Sequence, residues 1–264
     1  LPGFQIDPQT LQASIDNQSI SAPQPNLGRP SDLSIHPADA NWTLGNMHID
    51  CRLDQSRLRI RFTADAPGEF TWPIVIGGDE WILAFVEGVA IPTDDPRWLD
   101  FLHKNDGLSC SESLSFPAFA VRRTDATINY ILPEPFACNL TFDNGALRLT
   151  KTFTRAWKTK TYEVIIEPGS ASLLSPALAY RRWLIEHHQF VSLKDKIAQT
   201  PNIERLIGAP QIYLWGDALL APSDVKDWKS RRGAIRGNDP AAKWYREHLS
   251  ADVKKALADA AQSA

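Results

Sequence analysis

The sequence holds one methionine and three cysteines in 264 residues, and its formal net charge is only -3. Each shortage closes off a class of function. Cys51, Cys110 and Cys138 are odd in number and show no CxxC spacing, so they define neither a zinc cluster nor a complete disulfide framework. Cys51 and Cys138 sit in alternating stretches and read as small buried hydrophobes. The near-neutral charge removes the electrostatic drive toward nucleic acid or an anionic membrane surface, and neither is expected as a partner. No apolar run is long enough to cross a bilayer as a helix. The GxxxxGK[ST] phosphate loop is missing, and His187 and His188 are adjacent, so they cannot form the i, i+4 pair of a zinc protease helix. No cofactor and no metal is expected.

What the chain has in quantity is tryptophan, nine in all. Such rings stack on sugars, but they also fill sandwich cores, and the core is the favoured reading for any single one. Residues 1–40 are rich in proline, serine, asparagine and glutamine and read as an extended arm or edge segments. From Asn41 the pattern sharpens. Met47, Ile49, Cys51 and Leu53 alternate with polar residues, and Leu58, Ile60 and Phe62 alternate again after a turn, which predicts an amphipathic hairpin. Residues 70–76 and 81–86 are apolar and flank Gly77-Gly78, which predicts a second hairpin, followed by a loop from Glu87 to Trp98. Further strands are expected at 114–121, 126–132, 137–142 and 162–166, the last ending before Pro168-Gly169. Asn144-Gly145 marks a tight hairpin turn. Strands at this spacing without helices between them predict a mainly β protein built on one large antiparallel sandwich over residues 41–170.

The character changes after Ser175. Ser175-Pro176 has the form of a helix N-cap with proline at the first position, and Tyr180, Trp183, Leu184 and His187 follow at helical spacing. Ser192 and Asp195 form a capping-box pattern, and Thr200-Pro201 opens a further turn that stops at Gly208. This makes residues 171–209 a helical linker. Gln211 to Trp215 then reads as a buried strand, with helices opened by Ser223, Asp239 and Ser250, so 210–264 is a partial α/β segment. One such strand needs neighbours, and self-association through an exposed surface is one way to supply them.

The runs YRRWLIEHHQFVSLKDKIAQTPNIERLIGAPQIYLWG, GGDEWILAFVEGVAIPTDDPRW and SESLSFPAFAV together resemble the N-terminal half of bacterial glycoside hydrolases related to families 101 and 129. These are α-N-acetylgalactosaminidase-type enzymes. The resemblance covers about Asn41 to Trp215. It implies a galactose-mutarotase-like β-supersandwich that precedes a (β/α)8 barrel and packs on it through the helical linker. IYLWG would be the first barrel strand, placing Trp215 as a stacking platform and Asp217 as a hydroxyl acceptor at the pocket rim. The catalytic carboxylates of that family come from later barrel strands, so none is assigned here and the chain reads as a non-catalytic portion of an enzyme. The implied partner is carbohydrate.

The residues themselves leave other readings open. Glu87, beside Gly88, faces either a sugar or an interdomain seam, or is simply solvated. Asp94-Asp95 is better read as a turn-forming pair than as a calcium site. A stand-alone carbohydrate-binding module would present some of the tryptophans to a glycan. A mutarotase-like isomerase would need a histidine and a carboxylate on an open sheet face, for which His48 and His103 are the candidates within the strand region.

Overall fold

The computed structural model describes residues 3–208, apart from 25, 26, 55, 105, 106, 144 and 157–159. The strand and helices read at 211–215 and beyond, with Trp215 and Asp217, lie outside the described residues. The chain divides into two compact units, Leu1–Phe190 and Val191–Ala264.

The first unit is an antiparallel sandwich. Its N-terminal segment forms a small sheet from β1 (Phe4–Ile6), β2 (Ala13–Ile15) and β3 (Gln18–Ser19). There follow β4 (Pro30–Ile35), β5 (Asp39–Leu44), β6 (Met47–Asp54), β7 (Arg57–Ala64), β8 (Gly68–Val75), β9 (Glu80–Phe85) and β10 (Val89–Pro92). A helix, α1 (Pro96–Lys104), precedes β11 (Leu108–Ser109), β12 (Leu114–Arg123), β13 (Ala126–Ile131), β14 (Cys138–Asp143), β15 (Ala146–Phe153) and β16 (Thr161–Ser170). Helix α2 (Ser175–Glu186) closes the unit. The larger sheet has nine strands in the order β10-β9-β12-β13-β16-β7-β6-β5-β4, and the smaller has four in the order β11-β14-β15-β8.

Two hairpins follow directly from local sequence. In β6–β7, Leu53 stands opposite Leu58 and Asp54 opposite Arg57. Period-two alternation buries Met47, Ile49 and Cys51 on one face and leaves His48, Asp50 and Arg52 on the other. In β14–β15, Asp143 pairs with Ala146, leaving a two-residue connection in which Gly145 has φ +72.

The hairpin expected around Gly77-Gly78 does not form. Strand β8 pairs with β15 in the small sheet, whereas β9 pairs with β10 and β12 in the large one. Both arms are apolar on both faces, so each is buried on both sides in its own sheet and alternation carries no sign of which. The link between them presses on β12: a Cβ on Gly78 would meet Val121 Cγ1 at 2.2 Å, and Asp79 N donates to Arg122 O at 2.8 Å. The stretch read as a loop from Glu87 to Trp98 contains β10 and the start of α1. Strand β16 also runs past its expected end, through Pro168 and Gly169 to Ser170. Proline is tolerated there because β7 has already ended: Ile166 opposite Leu58 is the last pair of that ladder, and Pro168 pairs only with Ile128 of β13.

The main core lies between the two sheets. Phe62 packs its ring against Phe70 at 4.7 Å, Trp72 at 5.2 Å and Tyr162 at 5.8 Å, and Trp81 meets Phe142 at 5.3 Å. Trp72 Nε1 donates to Leu11 O at 3.0 Å, and the Tyr162 hydroxyl donates to Trp72 O at 2.7 Å. Leu11, Ala13 and Ile20 of the N-terminal segment are buried in the same cluster. A second, smaller cluster on the outer face of the large sheet joins Ala118, Ile131 and Ile165 to Ala179 and Trp183 of α2. Tyr180 stacks between Phe116 and Trp183, and Trp183 stacks on His187 at 4.5 Å.

Ser175 is not the helix cap: Leu174 takes that position, and the Ser175 hydroxyl turns toward Thr127 Oγ1, 2.7 Å away. Pro176 therefore follows the first helical residue. In the second unit, α3 (Leu193–Gln199) has the expected capping box, with Ser192 Oγ accepting from Asp195 N at 3.1 Å and Asp195 Oδ2 from Ser192 N at 3.2 Å. A short 3-10 turn, Pro201–Leu206, follows, and Gly208 has φ +74.

All three cysteines are free and buried. Burial pushes the Cys51 thiol up to about 12, that of Cys138 up to about 11, and Cys110 upward as well. Thiolate is the reactive form. A thiol reagent at pH 8 is therefore expected to label none of the three in the folded chain during the time in which it labels all three in urea. Prompt labelling of the folded chain would show that β6 or β11–β14 opens readily.

Candidate functional site

A concavity of the sandwich is built by the β9–β10 turn and α1. Strand β9 ends at Phe85, and Val86, Glu87 and Gly88 reverse the chain so that Val89 pairs back with Leu83. Gly88 N donates to Phe85 O at 2.9 Å and closes the turn. Gly88 has φ +98, which suits glycine, but Val86 has φ +55, an uncommon conformation for a β-branched residue. Ser115 Oγ holds that strained residue by donating to Val86 O at 3.0 Å.

After β10 the chain enters α1 through Asp95. Asp95 Oδ1 accepts from Arg97 N at 2.9 Å, satisfying one of the free donors at the start of the helix, and Pro96 needs no donor there. Arg97 Nη2 pairs with Asp95 Oδ2 at 2.9 Å. That hydrogen-bonded guanidinium holds the Asp95 carboxyl below its usual range. Leu102 is the buried anchor of the helix, with Trp98 and Leu99 partly buried on the main core. Trp98 and Phe101 meet edge to face, ring centroids 5.9 Å apart at 89°.

Between the turn and the helix lies a solvent-open cavity of about 630 Å³, walled by Val86, Glu87 and Val89 on one side and Arg97, Trp98 and Phe101 on the other. This volume falls within the range of about 300–1,000 Å³ common for small-ligand sites. The wall is mostly apolar and aromatic, with Glu87 and the Asp95–Arg97 pair as its polar groups. Such a wall can stack a ring and hydrogen-bond hydroxyls. Asp95, whose carboxyl Arg97 holds low, does not offer the raised pKa that a general acid needs. Beside the cavity, a smaller one of about 200 Å³ shares Val86, Glu87 and Gly88 and is bounded by Phe116, Leu173 and Leu174.

Glu87 thus lines the cavity. Trp98, Arg97 and Phe101 were not singled out from the sequence. A signal for the helix that carries them was present, since Asp95-Pro96 is a cap followed by proline and Trp98, Leu99 and Leu102 keep helical spacing. Among the described tryptophans, Trp42, Trp72, Trp81 and Trp183 are buried, whereas Trp98 is half-buried at the wall of this cavity.

The histidines considered for isomerase chemistry stand on different elements. His48 stands on the open face of β6, 3.5 Å from Asp50 Oδ1, with both side chains about half exposed. His103 lies in the last turn of α1. The sheet face near Asp50 forms a polar groove of about 360 Å³ with Arg52, Arg59 and Arg61. There Glu163 pairs with Arg61 at 2.7 Å and with Arg59 at 3.5 Å, so those two cations are compensated locally. Among the described residues, no helix is long and apolar enough to cross a membrane.

Two packed antiparallel sheets, with a helix laid on the outside of the larger, place the described unit among large β-sandwich domains. No protein-family model and no curated protein sequence matches the chain. Among solved structures, it is similar to the α-N-acetylgalactosaminidase NagBb from Bifidobacterium bifidum. The ligand-free enzyme matches with a TM-score of 0.57 and 14% identity, covering 77% of this chain and 40% of that chain. The GalNAc complex gives 0.58 and 13% over the same shares, and the Gal-NHAc-DNJ complex gives 0.57 and 13% over 88% and 47%. At that identity the likeness is one of fold. The chain spans less than half the length of the NagBb chains it matches.

Proposed function

We propose that this chain is the non-catalytic β-sandwich portion of a glycoside hydrolase acting on α-linked galactosaminide-like sugars, and that its role is to support a catalytic (β/α)8 barrel and line part of the sugar cleft. The observation that carries this reading is the fold likeness to NagBb, which covers 77–88% of this chain but only 40–47% of the enzyme. In this reading 41–170 is a galactose-mutarotase-like supersandwich, 171–209 a helical linker, and 210–264 the first strand and helices of the barrel. Trp215 and Asp217 then sit at the carboxyl end of the first barrel strand as stacking platform and hydroxyl acceptor. Self-association is expected wherever barrel-facing apolar surface is left uncovered.

The test is to read the source gene past the codon for Ala264, express the longer product, and assay it beside the 264-residue chain on an aryl α-N-acetylgalactosaminide. The expected result is hydrolysis by the longer product and none by the shorter. Turnover by the 264-residue chain alone, or a longer product without strand–helix repeats or activity, removes the reading.

A further inference from the structure

We propose that the cavity between the β9–β10 turn and α1 is a carbohydrate site in its own right, and that it takes an N-acetylated hexosamine residue of a glycan. The inference rests on the carbohydrate reading above but concerns a different place, on the sandwich itself rather than at the carboxyl end of a barrel strand.

Three observations converge on this ligand class. Trp98 and Phe101 stand at 89° to one another, so their faces form a corner. The C–H face of a pyranose lies against one ring and an acetamido methyl against the other, with Val86 and Val89 closing the apolar side. A sugar lacking the acetamido group leaves half of that corner unfilled. The polar groups at the rim match hydroxyls and an amide: the Glu87 carboxylate accepts from O–H or N–H, and Arg97 donates to an oxygen. Their charges also argue against an anion. Asp95 already neutralises Arg97 at 2.9 Å, and Glu87 adds a negative charge, so a phosphate or sulfate would meet repulsion. Finally, Val86 keeps an unfavourable backbone conformation and a 62% exposed apolar side chain at the cavity lip. Strain of that kind persists where the turn it shapes has a task, here the presentation of Glu87.

The experiment titrates methyl α-N-acetylgalactosaminide and methyl α-galactoside into the 264-residue chain, read by tryptophan fluorescence and by saturation-transfer NMR. A sugar of this size in an open aromatic cavity is expected to bind with a Kd on the order of 1 mM. Saturation transfer should be strong at the acetyl methyl and ring protons, and the galactoside should bind at least about fivefold more weakly. Trp98→Ala and Phe101→Ala are each expected to weaken binding at least about tenfold, and Glu87→Gln by about threefold. Ile35→Ala, on the strand at the far edge of the large sheet, should change nothing. Phe101 is 45% exposed and Glu87 is at the surface, so both variants report on binding even if Trp98→Ala loosens α1.

No saturable binding up to about 50 mM sugar overturns the proposal. So does binding that survives the Phe101 and Glu87 variants unchanged, and equal affinity for the two glycosides removes the acetamido assignment. Hydrolysis by a longer gene product without binding here sinks this inference alone. Binding here, with no barrel encoded downstream, sinks the hydrolase reading instead and leaves a binding module.

Discussion

Phe62→Ala is expected to destabilise the sandwich by about 3–5 kcal/mol, a large share of the 5–15 kcal/mol by which a domain of this kind is usually stable. Phe62 is fully buried, and its ring touches Phe70 and Trp72 on the β8 side and Tyr162 on β16. Removing it deletes the apolar surface and leaves a cavity where two sheets meet. Its neighbours are held in place by their own hydrogen bonds, Trp72 to Leu11 O and Tyr162 to Trp72 O, so collapse into the space is restricted. Urea unfolding followed by circular dichroism measures the loss. A change below about 1 kcal/mol would mean that the β7–β8 seam repacks freely and is not the centre of the core.

Glu167→Ala should cost up to about 3 kcal/mol and act on α2 in particular. Glu167 is almost wholly buried at the end of β16, where it bridges two cations: Arg57 of β7, and Arg182 of α2 at 2.5 Å. Arg57 also pairs with Glu186 on the last turn of α2. The upper figure is discounted because Arg182 is half exposed and water screens part of the lost attraction. Hydrogen exchange is the discriminating measurement, since amides of α2 should lose protection before those of β16.

The same cluster sets a pH dependence. Its hydrogen bond to Arg57 holds the Glu186 carboxyl below its ordinary value of 4.5. A depressed carboxyl stabilises the fold above its unfolded pKa and loses that contribution as pH falls through the folded one. The docking of α2 should therefore weaken as pH falls below about 4.5, which amide protection of α2 measured across that range checks.

Features that depend on near neighbours in sequence were legible. The β6–β7 and β14–β15 hairpins and the Ser192–Asp195 capping box each rest on a short span whose own pattern is unambiguous. What could not be read depends on partners far along the chain. Phe70–Ile76 and Trp81–Val86 have no polar face, so nothing in them tells that one belongs beside Thr150 and the other beside Val121. Ser175 has the residue type of a cap, but Thr127, 48 positions earlier, claims its hydroxyl. The candidate site divides the same way. Glu87 stood out beside a glycine, whereas Trp98 could not be told from the core tryptophans, because only the placement of α1 against the β9–β10 turn brings its ring to a cavity wall. The sequence readings at Trp215 and Asp217 concern residues beyond those described.

The pairing of β7 with β16 sets Arg61 against Glu163, residues about a hundred positions apart, and β8 waits for β15 in the same way. Sheet closure is therefore a late event in the life of the chain. During synthesis, the edge of β7 that will meet β16 and the edge of β8 that will meet β15 stay unpaired until most of the domain has left the ribosome. The charged outer face of β6 and β7, with His48, Asp50, Arg52, Arg59 and Arg61, then serves a second purpose. It keeps half of the waiting hairpin wet and like no other strand's partner, while the segment that will complete it is still being made.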